Sequence, residues 1–166
     1  MSNRPHLFKA WLAGFTRRWH SNPDLCDSVD AVAGHSGRVG VLAHLLFPDA
    51  SKSLVVAALL HDLGESGVGD VAAPAKQADP VLAAAIARAE ARKLEEMRLR
   101  LPELTPLEAQ QLEFCDRLDA WLWAMRHEPR LRRNMAWLAC EAELRREAQL
   151  LHVAIDISDL MGEVLE

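Results

Sequence analysis

The chain has 166 residues, half of them hydrophobic, with no Tyr and a formal net charge of -5. That length suits one domain, spanning residues 1–166, with a sizeable core, and an Ala- and Leu-rich, aromatic-poor composition favours an all-α protein. The acidic balance argues against general binding to a nucleic-acid backbone. Cys26, Cys115 and Cys140 are widely separated and form no CxxC pair, which argues against a disulfide frame or a thiolate zinc site.

The first helix is expected from Leu7 to Phe15, where apolar residues recur at helical spacing. Upstream of it the polar stretch Met1 to His6 has no signal-peptide character, and no later apolar run approaches the ~20 residues that span a bilayer. A cytoplasmic protein without a membrane partner is therefore expected. A basic-aromatic cluster, Arg17-Arg18-Trp19-His20, leads into the turn-forming Ser21-Asn22-Pro23-Asp24. Asp27 or Ser28 can cap a second helix running to about Phe47. Gly34, Gly37 and Gly40 lie inside it, at ~1 kcal/mol each against alanine, so close approach of a backbone or ligand is expected there. Pro48-Asp49 breaks that helix, and a third runs from about Ala50 to His61-Asp62.

Gly64 to Ala78 reads as a loop with at most one helical turn. Asp79-Pro80 starts a fourth helix to about Leu101, and Thr105-Pro106-Leu107-Glu108 starts a fifth, as a capping box, to about His127. Beyond Pro129, residues 131–164 form one last helix or two. The count is six or seven helices and no strand.

The chemistry gathers around Leu59-Leu60-His61-Asp62-Leu63-Gly64-Glu65-Ser66-Gly67-Val68-Gly69-Asp70. An imidazole and a carboxylate at the end of an apolar helix are good ligands for a divalent ion. The second helix carries His35 on an otherwise apolar side, and the fifth carries Asp116 among Leu112, Phe114 and Trp123. A buried aspartate without a partner is expensive. His35, His61, Asp62 and Asp116 together make a two-nitrogen, two-oxygen set that leaves positions open for water and a phosphate oxygen, as catalytic sites do.

This H…HD…D pattern, spread over separate helices, resembles the HD-domain metal-dependent phosphohydrolases. The run His61-Asp62-x-x-Glu65-x4-Asp70-x3-Pro74-x-Lys76, together with Arg18-Trp19 and Gly34-His35-Ser36, is similar to the YfbR-type 5'-deoxynucleotidases. Arg18-Trp19-His20-Ser21-Asn22-Pro23 is also similar to the small phage-encoded dATP triphosphohydrolases of DatZ type. The chain departs from the bacterial nucleotidases at Gly34, where they carry a glutamate, and in a longer loop between Trp19 and His35.

The resemblance implies an all-helical HD-domain fold and hydrolysis of the 5' phosphoester of a deoxynucleotide, either a monophosphate or a triphosphate such as dATP. It implies a divalent ion (Zn, Co or Mn, with Mg as an alternative or as a second ion beside a triphosphate) on His35, His61, Asp62 and Asp116. Glu65 becomes the proton shuttle, Asp70 orients the water or the sugar, Arg18 and Lys76 bind phosphate, and Trp19 excludes a 2'-hydroxyl. Arg17, Arg38 and Lys52 are further candidate cations for a triphosphate. Two other readings stand beside it: a nucleotide-binding module without catalysis, and a cyclic-nucleotide or (p)ppGpp phosphodiesterase. Trp137, Leu150, Leu151 and Val153 exceed what one small domain readily buries, so a homo-oligomer, a dimer or larger, is expected.

Overall fold

In the computed structural model, which describes residues 4–153 and 156–165, the chain folds into eight α-helices: α1 (Leu7–Ala13), α2 (Val32–Leu46), α3 (Lys52–Leu60), α4 (Ala73–Ala78), α5 (Pro80–Met97), α6 (Pro106–His127), α7 (Met135–Leu150) and α8 (Ile157–Leu165). Short 3-10 turns occupy Leu63–Gly67 and Pro129–Arg133. The fold is all-α: among the described residues there is no strand, only an isolated antiparallel bridge between Arg17 and Ala31. No described helix is long and apolar enough to cross a membrane. Among the described residues the count goes one beyond the expected six or seven because α4 forms within the supposed loop, and the last region takes the two-helix form of its expected alternatives, α7 and α8.

Several boundaries differ from the sequence reading, the first helix ending at Ala13 and not Phe15, and three have a clear local reason. The second helix begins at Val32, not at Asp27 or Ser28. Residues 16–32 double back on themselves, with the Arg18 N–H donating to the Asp30 carbonyl (3.1 Å) and the Val32 N–H to that of Thr16 (2.9 Å). The Ser28 hydroxyl donates to the Leu25 carbonyl (2.7 Å) instead of capping a helix. The helix after Asp79-Pro80 starts as expected, its cap carboxylate accepting the Val81 and Leu82 N–H groups. It stops at Met97 because Arg98 takes the left-handed conformation (φ 54°) and the Arg98 and Leu99 N–H groups return to the Glu95 and Leu94 carbonyls, a closing turn usually built on glycine. Third, α3 starts at Lys52 and not at Ala50, because Ser51 caps it through the Leu54 N–H and itself donates to Glu108, the carboxylate of the α6 capping box.

The contacts group the chain into two compact units, residues 1–36 with 59–101, and residues 37–58 with 102–166. The first unit is built on Ala13, Val32, Leu63 and Met97, flanked by Ala10, Leu60, Leu94 and Leu99. Gly64 is a packing requirement here: a Cβ on it would lie 2.9 Å from the Glu90 Cβ and 3.0 Å from the Glu90 carbonyl oxygen. Its absence lets the turn that follows His61-Asp62 press directly onto α5. Gly37, by contrast, has nothing within 4 Å of a notional Cβ, so the close approach expected there is not made.

The second unit is centred on α6, whose Phe114, Cys115, Leu118, Trp121, Ala124 and Met125 are all buried. α6 packs on α7 and α8, and the Phe47 and Phe114 rings meet edge-to-face at 6.3 Å. Removing a side chain such as Phe114 from this packing costs about 3–5 kcal/mol.

Candidate metal centre

α3 is apolar from Leu54 to its end at Leu60, and the chain passes directly from it into the turn that carries His61 and Asp62. Asp62 lies off the helical basin, at φ -96° and ψ 1°. That departure lets two adjacent side chains, which would diverge on a continuing helix, approach one another. The His61 Nε2 lies 3.3 Å from the Asp62 Oδ1, and the His35 Nε2 lies 3.3 Å from the Asp62 Oδ2. The imidazole centroids are 5.3 Å apart, tilted by 55°. One carboxylate therefore faces two imidazole nitrogens, each residue offering a ligand atom within 4.8 Å of the others. His35 is fully buried in the second turn of α2, while His61 and Asp62 keep a narrow opening to solvent. Neutral nitrogens converging on one carboxylate are the donor chemistry that a borderline divalent ion takes.

Asp116 stands half-buried on α6 in the second unit. Its neighbour Cys115 is buried, and burial together with the Asp116 charge pushes its thiol up to about 12. Cys115 thus stays a protonated core residue, and all three cysteines are free.

Glu65 lies in the Leu63–Gly67 turn, 6 % exposed. Burial, then the charges of Asp62 and Asp70, raise its carboxyl to about 8, against the opposing pull of Arg18 and Lys76. Its Oε2 has no hydrogen-bond partner among the described residues. Glu65, Asp70, Arg18 and Lys76 are therefore electrostatic neighbours.

Asp70 has a definite partner: its Oδ2 accepts the Trp19 backbone N–H at 2.7 Å. Trp19 is half-buried in the left-handed region, φ 64°, a conformation that costs a non-glycine residue roughly 1–2 kcal/mol. The Arg18 guanidinium lies 5.1 Å from the Trp19 ring centroid and pairs with buried Asp30, Nη1 to Oδ2 at 3.4 Å. Lys76 sits half-buried in the last turn of α4, between the fields of Glu65 and Glu90.

Several residues here escaped the sequence reading. Asp30, which holds Arg18, carries no local signal because the partners are separated by twelve residues of irregular chain. Glu90, pushed up by burial beside Lys76, looked like one more acid on an outer helix face. Of the extra cations, Arg38 is committed to buried Asp119, through Nε to Oδ1 at 2.7 Å and Nη2 to Oδ2 at 3.1 Å. Arg17 donates to the Cys26 carbonyl. Lys52 begins α3, the end opposite His61, about 12–14 Å away at 1.5 Å per residue. Of the other histidines, His20 covers the space where a Gly69 Cβ would stand, and His127 stacks on Trp123.

Comparison with known families matches residues 32–158 to the HD domain model, described by that name. No curated protein and no solved structure matches the chain.

Proposed function

The chain belongs to the HD domain family, and on that premise we propose that it is a metal-dependent phosphohydrolase acting on the 5' phosphoester of deoxynucleotides. The observation that carries this reading is the meeting of His35, His61 and Asp62 beside a buried glutamate. A purely structural metal site would have no use for that acid beside it.

In this reading His35, His61, Asp62 and Asp116 hold one divalent ion, with Zn, Co or Mn suited to two nitrogens and two oxygens and Mg as the harder alternative. Such an ion supplies Lewis acidity toward a phosphate oxygen and acidifies a bound water. The chain's own residues do the rest. Arg18, steadied by Asp30, and Lys76 neutralise the phosphate. Glu65 carries a proton to the leaving 5'-oxygen as the phosphorus–oxygen bond breaks and water takes its place on phosphorus. Asp70 holds the Trp19 segment, and the indole fills the space beside the sugar's 2' position.

The substrate is a deoxynucleoside monophosphate, giving phosphate, or a triphosphate such as dATP, giving inorganic triphosphate. Both reactions break the same bond. The test is a release assay over deoxy- and ribonucleotides, from mono- to triphosphate, with each of several divalent metals, reading phosphate and triphosphate separately. Turnover of a deoxynucleotide that vanishes on chelation and returns with metal is expected. Binding without turnover would instead identify a nucleotide-sensing module, and turnover of a cyclic nucleotide or (p)ppGpp alone would overturn the substrate class.

A further inference from the structure

The first helix is packed the wrong way round for a solitary domain. Its small residues, Ala10, Ala13 and Gly14, face inward: Ala13 belongs to the core of the first unit, and a Cβ on Gly14 would lie 2.9 Å from that of Ala33. Its large apolar residues face outward. Leu7, Phe8, Trp11, Leu12 and Phe15 range from 47 % to 78 % exposed. At about 100° per residue Leu7, Phe8, Trp11 and Leu12 fall within one stripe roughly 140° wide, and Phe15, in the turn just past the helix end, joins it through its ring contact with Trp11. We propose that this stripe is the surface through which two copies of the chain pair.

Three observations select a second copy as the occupant. First, the rings are already ordered against one another: Phe8 and Trp11 stack at 5.9 Å, and Trp11 and Phe15 meet edge-on at 4.8 Å. A preformed aromatic cluster is what the centre of a protein interface contains, whereas insertion into lipid asks for no such order. Second, the stripe carries no charge. Lys9, the helix's own cation, lies on the flank beyond it and acts on Glu96 of the same chain. With its one flanking cation already acting on an acid of the same chain, and on a chain of net charge -5, the apolar stripe gains little attraction from an anionic bilayer. A twofold contact of the stripe with itself also brings no like charges together. Third, the area is of the right order. Aromatic side chains bury ~150–250 Å² each, so five large side chains at these exposures offer roughly 500 Å² per copy, the greater part of the ~800 Å² per partner in a standard interface.

The pairing relocates the expected oligomer contact. Of the carboxy-terminal residues first suspected, Leu150 is exposed, but Trp137, Leu151 and Val153 are each half-buried. It also bears on the candidate site, because Phe15 stands three residues before Arg18 and α1 packs on the Leu63–Gly67 turn that holds Glu65.

The experiment is light scattering of the full chain after size exclusion, with circular dichroism to verify folding. Wild type and Val81→Glu, a control at a well-exposed position on α5, are expected at twice the 18.5 kDa chain mass. Trp11→Glu and Phe8→Glu are expected at the single mass with helicity retained. A measurement on unmodified protein accompanies these: amide exchange over residues 7–15 is expected to slow as concentration rises. A monomeric wild type overturns the proposal. So does a folded Trp11→Glu that remains dimeric, exchange at α1 that ignores concentration, or a monomer that sediments with phosphatidylcholine–phosphatidylglycerol vesicles. None of these readings depends on catalysis, so they stand or fall apart from the proposed function.

Discussion

The backbone N–H of Trp19 donates to the Asp70 Oδ2 at 2.7 Å across 51 residues of sequence. This bond fastens a residue at φ 64°, and it gives Asp70 work that the resemblance alone did not suggest. A hydrogen bond to a charged acceptor is worth ~1.5–3 kcal/mol, enough to offset the cost of a left-handed tryptophan. Under the proposed function, Asp70 would act on the sugar through Trp19.

The consequence is a shared phenotype. Pressing a 2'-hydroxyl against an indole that offers no hydrogen bond costs ~1–3 kcal/mol, or roughly ten- to hundredfold in deoxy over ribo preference. Trp19→Ala and Asp70→Ala should each remove most of that preference, and the double variant should lose little more than either alone. Competition between deoxy and ribo forms of one base reads it directly. An Asp70→Ala protein that turns over slowly yet keeps full sugar preference would assign Asp70 to the water instead.

Arg38 and Asp119 predict an asymmetry in stability. Asp119 is nearly buried, and its two oxygens are spanned by an arginine whose side chain is about a third exposed (36 %). The guanidinium also lies over the Trp123 ring, 4.4 Å from its centroid. Removing Arg38 strands a buried carboxylate, a loss of about 3–5 kcal/mol. Removing Asp119 leaves a cation that reaches water and keeps its ring contact, a loss of about 1–3 kcal/mol. Urea unfolding of Arg38→Ala and Asp119→Ala should rank them in that order. Equal losses would mean that the pair is solvated in the folded protein.

Much of this was legible in the sequence where a local rule applied. The Asp79-Pro80 start and the Thr105–Glu108 capping box sit where their side-chain chemistry requires, and the His61-Asp62 pair closes α3 as the end of its apolar run indicated. What was missed depends on distant partners. Nothing near Asp27 or Ser28 reveals that the chain folds back through Thr16 and Asp30, and so the second helix was started too early. Arg98 was read through because an arginine rarely ends a helix in the left-handed conformation. The outward stripe of α1 shows the same limit: periodicity indicates a helix, but only packing shows that its small-residue side is the buried one.

The ligand set predicts loss of metal and activity together. Asp62 faces both imidazoles, so Asp62→Ala should lose the ion and fall to background turnover. His35→Ala should do the same and also lose stability, since it empties a fully buried position. Elemental analysis of purified protein beside the release assay checks both. Full metal occupancy with activity in Asp62→Ala would remove Asp62 from the site.

Glu65 makes a pH prediction whose sign differs from that of an ordinary salt-bridged carboxylate. Its carboxyl, normally at 4.5, is raised to about 8, chiefly by burial and then by Asp62 and Asp70. The folded chain therefore holds a proton that the unfolded chain releases between those two values. Stability falls as pH rises wherever the folded state binds the extra proton. In chelator-treated protein the Glu65 contribution is complete below about pH 4.5 and is lost progressively up to about pH 8. Thermal melts over that window should show a decline in wild type that is largely absent from Glu65→Gln, which cannot release the proton. Returning the metal should flatten the wild-type decline, because a nearby cation favours the charged carboxylate. The same variant, with metal content intact, should lose ~10²–10⁴-fold in turnover if Glu65 moves the proton to the 5'-oxygen. Melts of Glu65→Gln that fall with pH as steeply as wild type would place the titrating group elsewhere, and near-normal turnover in that variant would leave the proton transfer to water.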